Sequence, residues 1–128
     1  LNIAHDTGEM GVPVILVVED NADMIRFIGS LLSARYNVMS ATDGTSGLEL
    51  AHRLRPDLII SDIMMPRLSG LEVLKRLRRE SSLPVIMLTT IRDRNAIAKA
   101  QALGASAWFV KPFNPRKLAQ KVSELLSY

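Results

Sequence analysis

Four short apolar runs in this chain end in residues equipped for chemistry. Val14–Val18 runs into Glu19-Asp20, Leu58–Ser61 into Asp62, Val85–Thr89 into Thr89-Thr90, and Ala107–Val110 into Lys111-Pro112. In an open α/β sheet, ligands sit beyond the carboxyl ends of the strands, at a switch point in the strand order. If the first and third runs are neighbouring strands, Glu19, Asp20 and Asp62 meet in one pocket. Three carboxylates that close repel one another and stay ionised only beside a compensating cation. A few carboxylate oxygens, completed by water and phosphate oxygens, suit Mg2+, with Mn2+ as the alternative ion. Lys111 would add a fixed positive charge and Thr89 a hydroxyl donor. Metal, ammonium and hydroxyl around one carboxylate make a site for a phosphoryl group on that carboxylate, and an acidic side chain that accepts phosphoryl is a known form of nucleophilic catalysis. The transfer needs little beyond alignment and charge neutralisation. Any one of these acids alone would be read as a strand end or a helix cap. The set, at the right ends of the right runs, carries the reading.

The elements that must position these residues alternate along the chain. The apolar runs are Val14–Val18, Tyr36–Ser40, Leu58–Ser61, Val85–Thr89 and Ala107–Val110. Four are rich in Val and Ile and too short for helices, as expected of strands buried on both faces of a parallel sheet. The second is more polar, as expected of an edge strand. Between them lie amphipathic stretches. Asn21 is placed to cap a first helix with Met24, Phe27, Ile28, Leu31 and Leu32 on its apolar side. A second follows Asp43-Gly44 and turns Leu48, Ala51 and Leu54 inward. A third begins near Gly70 with Leu71, Leu74 and Leu77 inward. A fourth begins near Asp93, carries Ile97, Ala100 and Leu103, and stops at Gly104. The last has Asn114 as cap and Pro115 at its first position, with Leu118, Val122 and Leu125 inward. Strict alternation predicts an α/β fold, a doubly wound five-stranded parallel sheet with five helices of flavodoxin-like type. Periodicity does not fix the strand order; 2-1-3-4-5 is the order the strand-end motifs imply.

Composition narrows the classes. The 128 residues suit one domain, with residues 1–12 read as a flexible tail or linker and 13–128 as the folded unit. The lead and the start at Leu1 lean toward a piece cut from a longer chain. There is no cysteine, which excludes disulfides, thiolate metal sites and a cysteine nucleophile. No apolar run reaches the length of a membrane span. Net charge is +3. The basic residues gather at Lys75, Arg76, Arg78 and Arg79 and around Arg92, Arg94, Arg116, Lys117 and Lys121. They sit among helix-periodic apolar residues and read as solvated helix faces without interleaved aromatics, so direct nucleic-acid binding is not expected. His5 and His52 have no partner at ligand spacing and are given no chemistry.

The ordered motifs resemble the receiver domain of bacterial two-component response regulators, close to the chemotaxis regulators. Ile15-Leu16-Val17-Val18-Glu19-Asp20-Asn21 resembles that family's opening strand and acidic pair. Asp62-Ile63-Met64-Met65-Pro66-Arg67-Leu68-Ser69-Gly70 resembles its phosphorylation loop, D-x-x-M-P-x-x-x-G. Pro84 through Thr89 resembles its fourth strand and switch hydroxyl, and Gly104-Ala105 with Lys111-Pro112-Phe113 its ending. The resemblance runs from about Val14 to Leu126. It implies that Asp62 is the phosphoacceptor and that Asp20 binds the metal directly. Glu19 would hold the metal largely through water, and Met64 would offer its backbone carbonyl. Thr89 and Lys111 would contact the phosphoryl oxygens, and the Lys111–Pro112 bond would be cis. Trp108 falls at the aromatic switch position, although from the residues alone a plain core aromatic is an equal reading. In the family, the switch remodels the surface of the fourth helix, fifth strand and fifth helix. Implied partners are a histidine kinase or phosphotransfer protein, and an output domain or downstream protein. Homodimerisation through the switch surface is a further option. The implied location is cytoplasmic, or the cytosolic part of a membrane-bound hybrid kinase.

The chain departs from the family's usual pattern in places. Glu19 replaces a frequent aspartate. Thr90 stands where a smaller residue is usual and is expected to narrow access to the site. Met64 and Ile91 are apolar near the place of an attacking water, which predicts slow dephosphorylation. Three rival readings stand beside the phosphoacceptor. A flavodoxin-like cofactor protein would need a phosphate-binding loop where Glu19-Asp20-Asn21 stands. An aspartyl phosphatase would carry a second acid at Met64. The third is a phosphorylation-independent protein-interaction module of the same fold.

Overall fold

The computed structural model describes residues 11–90 and 94–127. Strands and helices alternate as β1 (Val14–Val18), α1 (Ala22–Leu32), β2 (Asn37–Ala41), α2 (Gly44–Leu54), β3 (Leu58–Asp62), α3 (Gly70–Arg78), β4 (Val85–Thr89), α4 (Arg94–Ala102), β5 (Ala107–Val110) and α5 (Pro115–Leu126). All pairings are parallel, and the strand order is β2-β1-β3-β4-β5. The order reverses beside β1, so β1 and β3 are neighbours, as the strand-end motifs required.

Alternation along each strand divides the interior in two. Leu16, Val18, Ile59, Val85 and Met87 face α2, α3 and α4 and meet Leu48, Ala51, Val73, Leu74, Leu77 and Ala100. Ile15, Val17, Leu58, Ile60, Ile86 and Leu88 face the other way, onto Ile28 and Leu32 of α1 and Leu118 and Val122 of α5. β3 and β4 are buried at every residue, while β2 buries only Ala41, as an edge strand should.

Helix starts follow the expected capping chemistry. Asn21 Oδ1 accepts from the Met24 N–H at 3.0 Å, Asp43 Oδ1 from Ser46 at 2.8 Å, and Asn114 Oδ1 from Arg116 at 2.8 Å. The Ser69 hydroxyl does the same for Glu72 at 3.3 Å. Each bond satisfies an N–H with no partner inside the helix. The bond from Ser46 holds the Asp43 carboxyl below its usual value, with the charge of Arg67 adding to the effect.

Several expectations need correction. The second strand begins at Asn37 and includes Ala41, one residue later than the apolar run suggested. Phe27 is not inward but 43% exposed. It lies at the rim of α1, its ring 6.0 Å from that of Phe113, because a helix at the end of a layer covers only part of its apolar stripe. On α3, Val73 is fully buried and Leu71 only half-buried. The expected start at Asp93, with His5 and Ile91, lies outside the described residues, as does most of the expected tail.

Candidate functional site

β1, β3 and β5 deliver their terminal residues to one end of the sheet. Asp62 closes β3, pairs in register with Leu88 of β4, and is 4% exposed. Glu19 follows β1 and is 1% exposed, while its neighbour Asp20 is exposed. One carboxylate oxygen from each of Glu19, Asp20 and Asp62 lies within 4.8 Å of the others. Lys111 follows β5, and the bond from it to Pro112 is cis, as expected. Its ammonium donates to Glu19 Oε1 at 2.7 Å and to Asp62 Oδ2 at 3.3 Å. The backbone N–H of Asn21 donates to Glu19 Oε2 at 3.0 Å, and that of Met64 to Asp62 Oδ1 at 3.2 Å.

The electrostatics follow from that geometry. Burial pushes the Glu19 carboxyl above its usual value, opposed by the Lys111 hydrogen bond and the Asn21 N–H and reinforced by the charge of Asp62. Burial by itself would lower Lys111, but its bond to Glu19 and the charges of both acids outweigh that and raise it. Lys111 is therefore a firmly protonated cation between two buried carboxylates. The exposed Asp20 leaves the cluster open to solvent on one side. Three hard oxygen donors with an open side fit Mg2+ or Mn2+ and do not fit a soft metal.

Thr89 ends β4, one residue beyond the partner of Asp62. It is fully buried, and its carbonyl accepts from the Lys111 N–H at 2.6 Å. Trp108 pairs in register with Met87 and is 36% exposed, so the plain core reading of that aromatic fails. Among the described residues, β5 is an edge strand of the sheet. The Met64 side chain is 56% exposed and is not core filler.

A response regulator receiver domain profile matches residues 15–123. The chain belongs to the response regulator receiver family. Among curated proteins, this receiver is 42% identical over 118 residues to hybrid signal transduction histidine kinase D of Dictyostelium discoideum, covering 90% of this chain and 8% of that one. It is 40% identical over 113 residues to the probable transcriptional regulator ycf27 of Porphyridium aerugineum, covering 88% of this chain and 47% of that one. The chain thus spans less than half the length of these relatives. Among solved structures, the Vibrio cholerae chemotaxis protein CheY4 superposes with a TM-score of 0.83 at 34% identity, covering 90% of this chain and 99% of that one. The receiver family is a signalling family of two-component systems, not a family of conventional enzymes.

Within the loop motif, the structure adds a physical reason for Gly70 and a backbone feature at Arg67 that the motif did not show. A Cβ at Gly70 would stand 2.0 Å from the Asp62 carbonyl oxygen, and the Gly70 N–H bonds Ile63 O at 2.9 Å. Only glycine lets the start of α3 approach the end of β3 so closely. Arg67, in the same loop, has φ 68, a left-handed backbone that L-residues other than Asn and Asp seldom adopt. Gly70 had a visible signal, a glycine where a helix begins. Arg67 had none, since its residue type argues against the conformation it takes.

Proposed function

We propose that this receiver takes a phosphoryl group onto Asp62 from the phosphohistidine of a histidine kinase or phosphotransfer protein. The observation that carries this reading is the Asp62 carboxylate, held beside two further carboxylates and 3.3 Å from the Lys111 ammonium. An Asp62 carboxylate oxygen forms the new bond to phosphorus. The phosphorus–nitrogen bond breaks, its electron pair stays on the imidazole, and the aspartyl acyl phosphate results. Glu19, Asp20, Asp62 and the Met64 backbone carbonyl would hold Mg2+, which when bound offsets the negative charge of the phosphoryl oxygens and the acids. Lys111 holds positive charge toward the same oxygens. Thr89 supplies the hydroxyl that follows the phosphoryl group, and Trp108 follows Thr89, changing the surface of α4, β5 and α5. That surface is read by an output domain, a downstream protein or a second copy of the chain. No helix among the described residues is long and apolar enough to cross a membrane; a cytoplasmic setting fits the donor chemistry.

The test is intact mass after incubation with a small phosphodonor such as acetyl phosphate, with and without Mg2+. A phosphoryl adduct is expected on the wild-type chain only with the metal, and none on Asp62→Asn. An adduct that persists in Asp62→Asn would overturn the assignment. If a cognate phosphorylated kinase also fails to label the wild type, the receiver does not work by phosphorylation.

A further inference from the structure

Charge is unevenly shared in this protein. Between Gly70 and Gly104, seven basic and three acidic residues leave a net +4, against +3 for the whole chain, so the remainder carries −1. Among the described residues of that segment the balance is the same +4, from Lys75, Arg76, Arg78, Arg79, Arg94 and Lys99 against Glu72 and Glu80, and because β4 is buried and uncharged it lies on α3, on α4 and just after α3. Between these two helices runs a groove of about 520 Å³, lined by Leu71, Leu103 and Ala102 with Lys75 and Lys99. Ser69 and Glu72 complete the lining. Glu72 is committed to Arg76 at 3.1 Å. Lys75 and Lys99 are exposed, and neither has an ion-pair partner among the described residues.

We infer that the α3–α4 groove docks an acidic, leucine-bearing helical segment of a partner protein. The partner's carboxylates would meet Lys75 and Lys99, and its leucines would cover Leu71 and Leu103, the arrangement of an amphipathic helix laid in a groove. Other polyanions fit less well. α3 and α4 carry no aromatic residue on which a base could stack. None of the large exposed apolar side chains, Phe27, Met39, Met64 and Trp108, lies on either helix, so neither presents the apolar wedge that binds a membrane surface.

The test uses a fluorescently labelled peptide about four turns long, with Glu and Leu at helical spacing, titrated against the whole chain. A second peptide replaces every Leu by Ser. Duplex DNA and vesicles of anionic lipid are run as rivals. The expected result is saturable binding of the Glu/Leu peptide that weakens roughly tenfold in Lys75→Glu/Lys99→Glu and is unchanged in Lys117→Glu on α5. The Glu/Ser peptide should bind at least several-fold more weakly. Because both substitutions are on the surface, circular dichroism is expected to be unchanged; Lys75→Gln/Lys99→Gln provides a milder variant should the reversal disturb the fold. Equal binding of the Glu/Ser peptide would overturn the groove as the site. So would indifference to both lysine variants, absence of binding at millimolar peptide, or tighter capture of DNA or vesicles through the same lysines.

Discussion

The Lys111 ammonium lies 2.7 Å from Glu19 Oε1 and 3.3 Å from Asp62 Oδ2, and Glu19 has almost no contact with water. Taking the cation away leaves a buried carboxylate without its counter-charge, a change that usually costs about 3–5 kcal/mol. Lys111→Met is therefore expected to lower unfolding stability by that order at pH 7 without divalent metal, as read by urea titration. The pH dependence has a definite sign. The Glu19 carboxyl is raised above its ordinary 4.5, so just above that pH the folded chain binds more protons than the unfolded chain, and stability falls as pH rises through the window. Without Lys111 the window widens, so the loss is greatest near neutrality and shrinks as pH falls toward 4.5. Lys111 works in the opposite sense: raised above 10.5, its contribution is complete below that pH and fades as pH climbs through its folded value. Glu19→Gln in the Lys111→Met background is expected to recover part of the loss. Thr90 belongs to the same neighbourhood, exposed directly after buried Thr89. Thr90→Ala is expected to label several-fold faster than wild type with acetyl phosphate, and an equal or slower rate would show that Thr90 does not restrict entry.

Helix ends carry a different kind of prediction. Arg55 ends α2 with φ 50 and ψ 62, where a side chain crowds the backbone and glycine does not. Arg55→Gly is expected to stabilise by about 1 kcal/mol, a rise of roughly 4 °C in Tm. Arg67→Gly should gain less, because it relieves the same conformation but loses the charge that helps keep Asp43 ionised. The elements show how much could be seen beforehand. Asn21, Asp43, Ser69 and Asn114 stand at helix starts because their short polar side chains bond the free N–H groups, and that chemistry is visible in residue type. The rim positions were not visible. Phe27 and Leu71 have the right spacing to be inward, but spacing gives the direction of a stripe, not whether a neighbour covers its edge. Trp108 is the clearest case, since its 36% exposure on edge strand β5 depends on tertiary packing that no local pattern reports.

The sheet order was legible only through chemistry. Buried parallel strands look alike, and Val, Ile and Leu in β1, β3 and β4 do not say which lies beside which. Glu19, Asp20, Asp62 and Lys111 did, because they make sense together only if β1 and β3 adjoin. The parallel pairing of β1 with β3 bears that order out, while the short Lys111–Glu19 pair, which claims one oxygen of an expected water-mediated ligand, had no precursor in residue spacing. The excess basic charge on α3 and α4 was legible in the sequence as solvated helix faces, and Lys75 and Lys99 are exposed, while the groove they line had no signal in residue spacing. The contact of Gly70 with the end of β3 has one more consequence. From Ile63 to Gly70 the chain returns to within 2.9 Å of where it left, so this segment behaves as a ring with a fixed number of links. A ring tolerates changes of lettering but not of length. Inserting one residue after Pro66 is expected to abolish phosphoryl labelling while leaving circular dichroism largely intact. The same insertion after Ser82, in the connection from α3 to β4 far from Asp62, should be silent in the labelling assay. Drift in length among related proteins would then gather at that far end of the sheet and spare the loop that carries the acceptor.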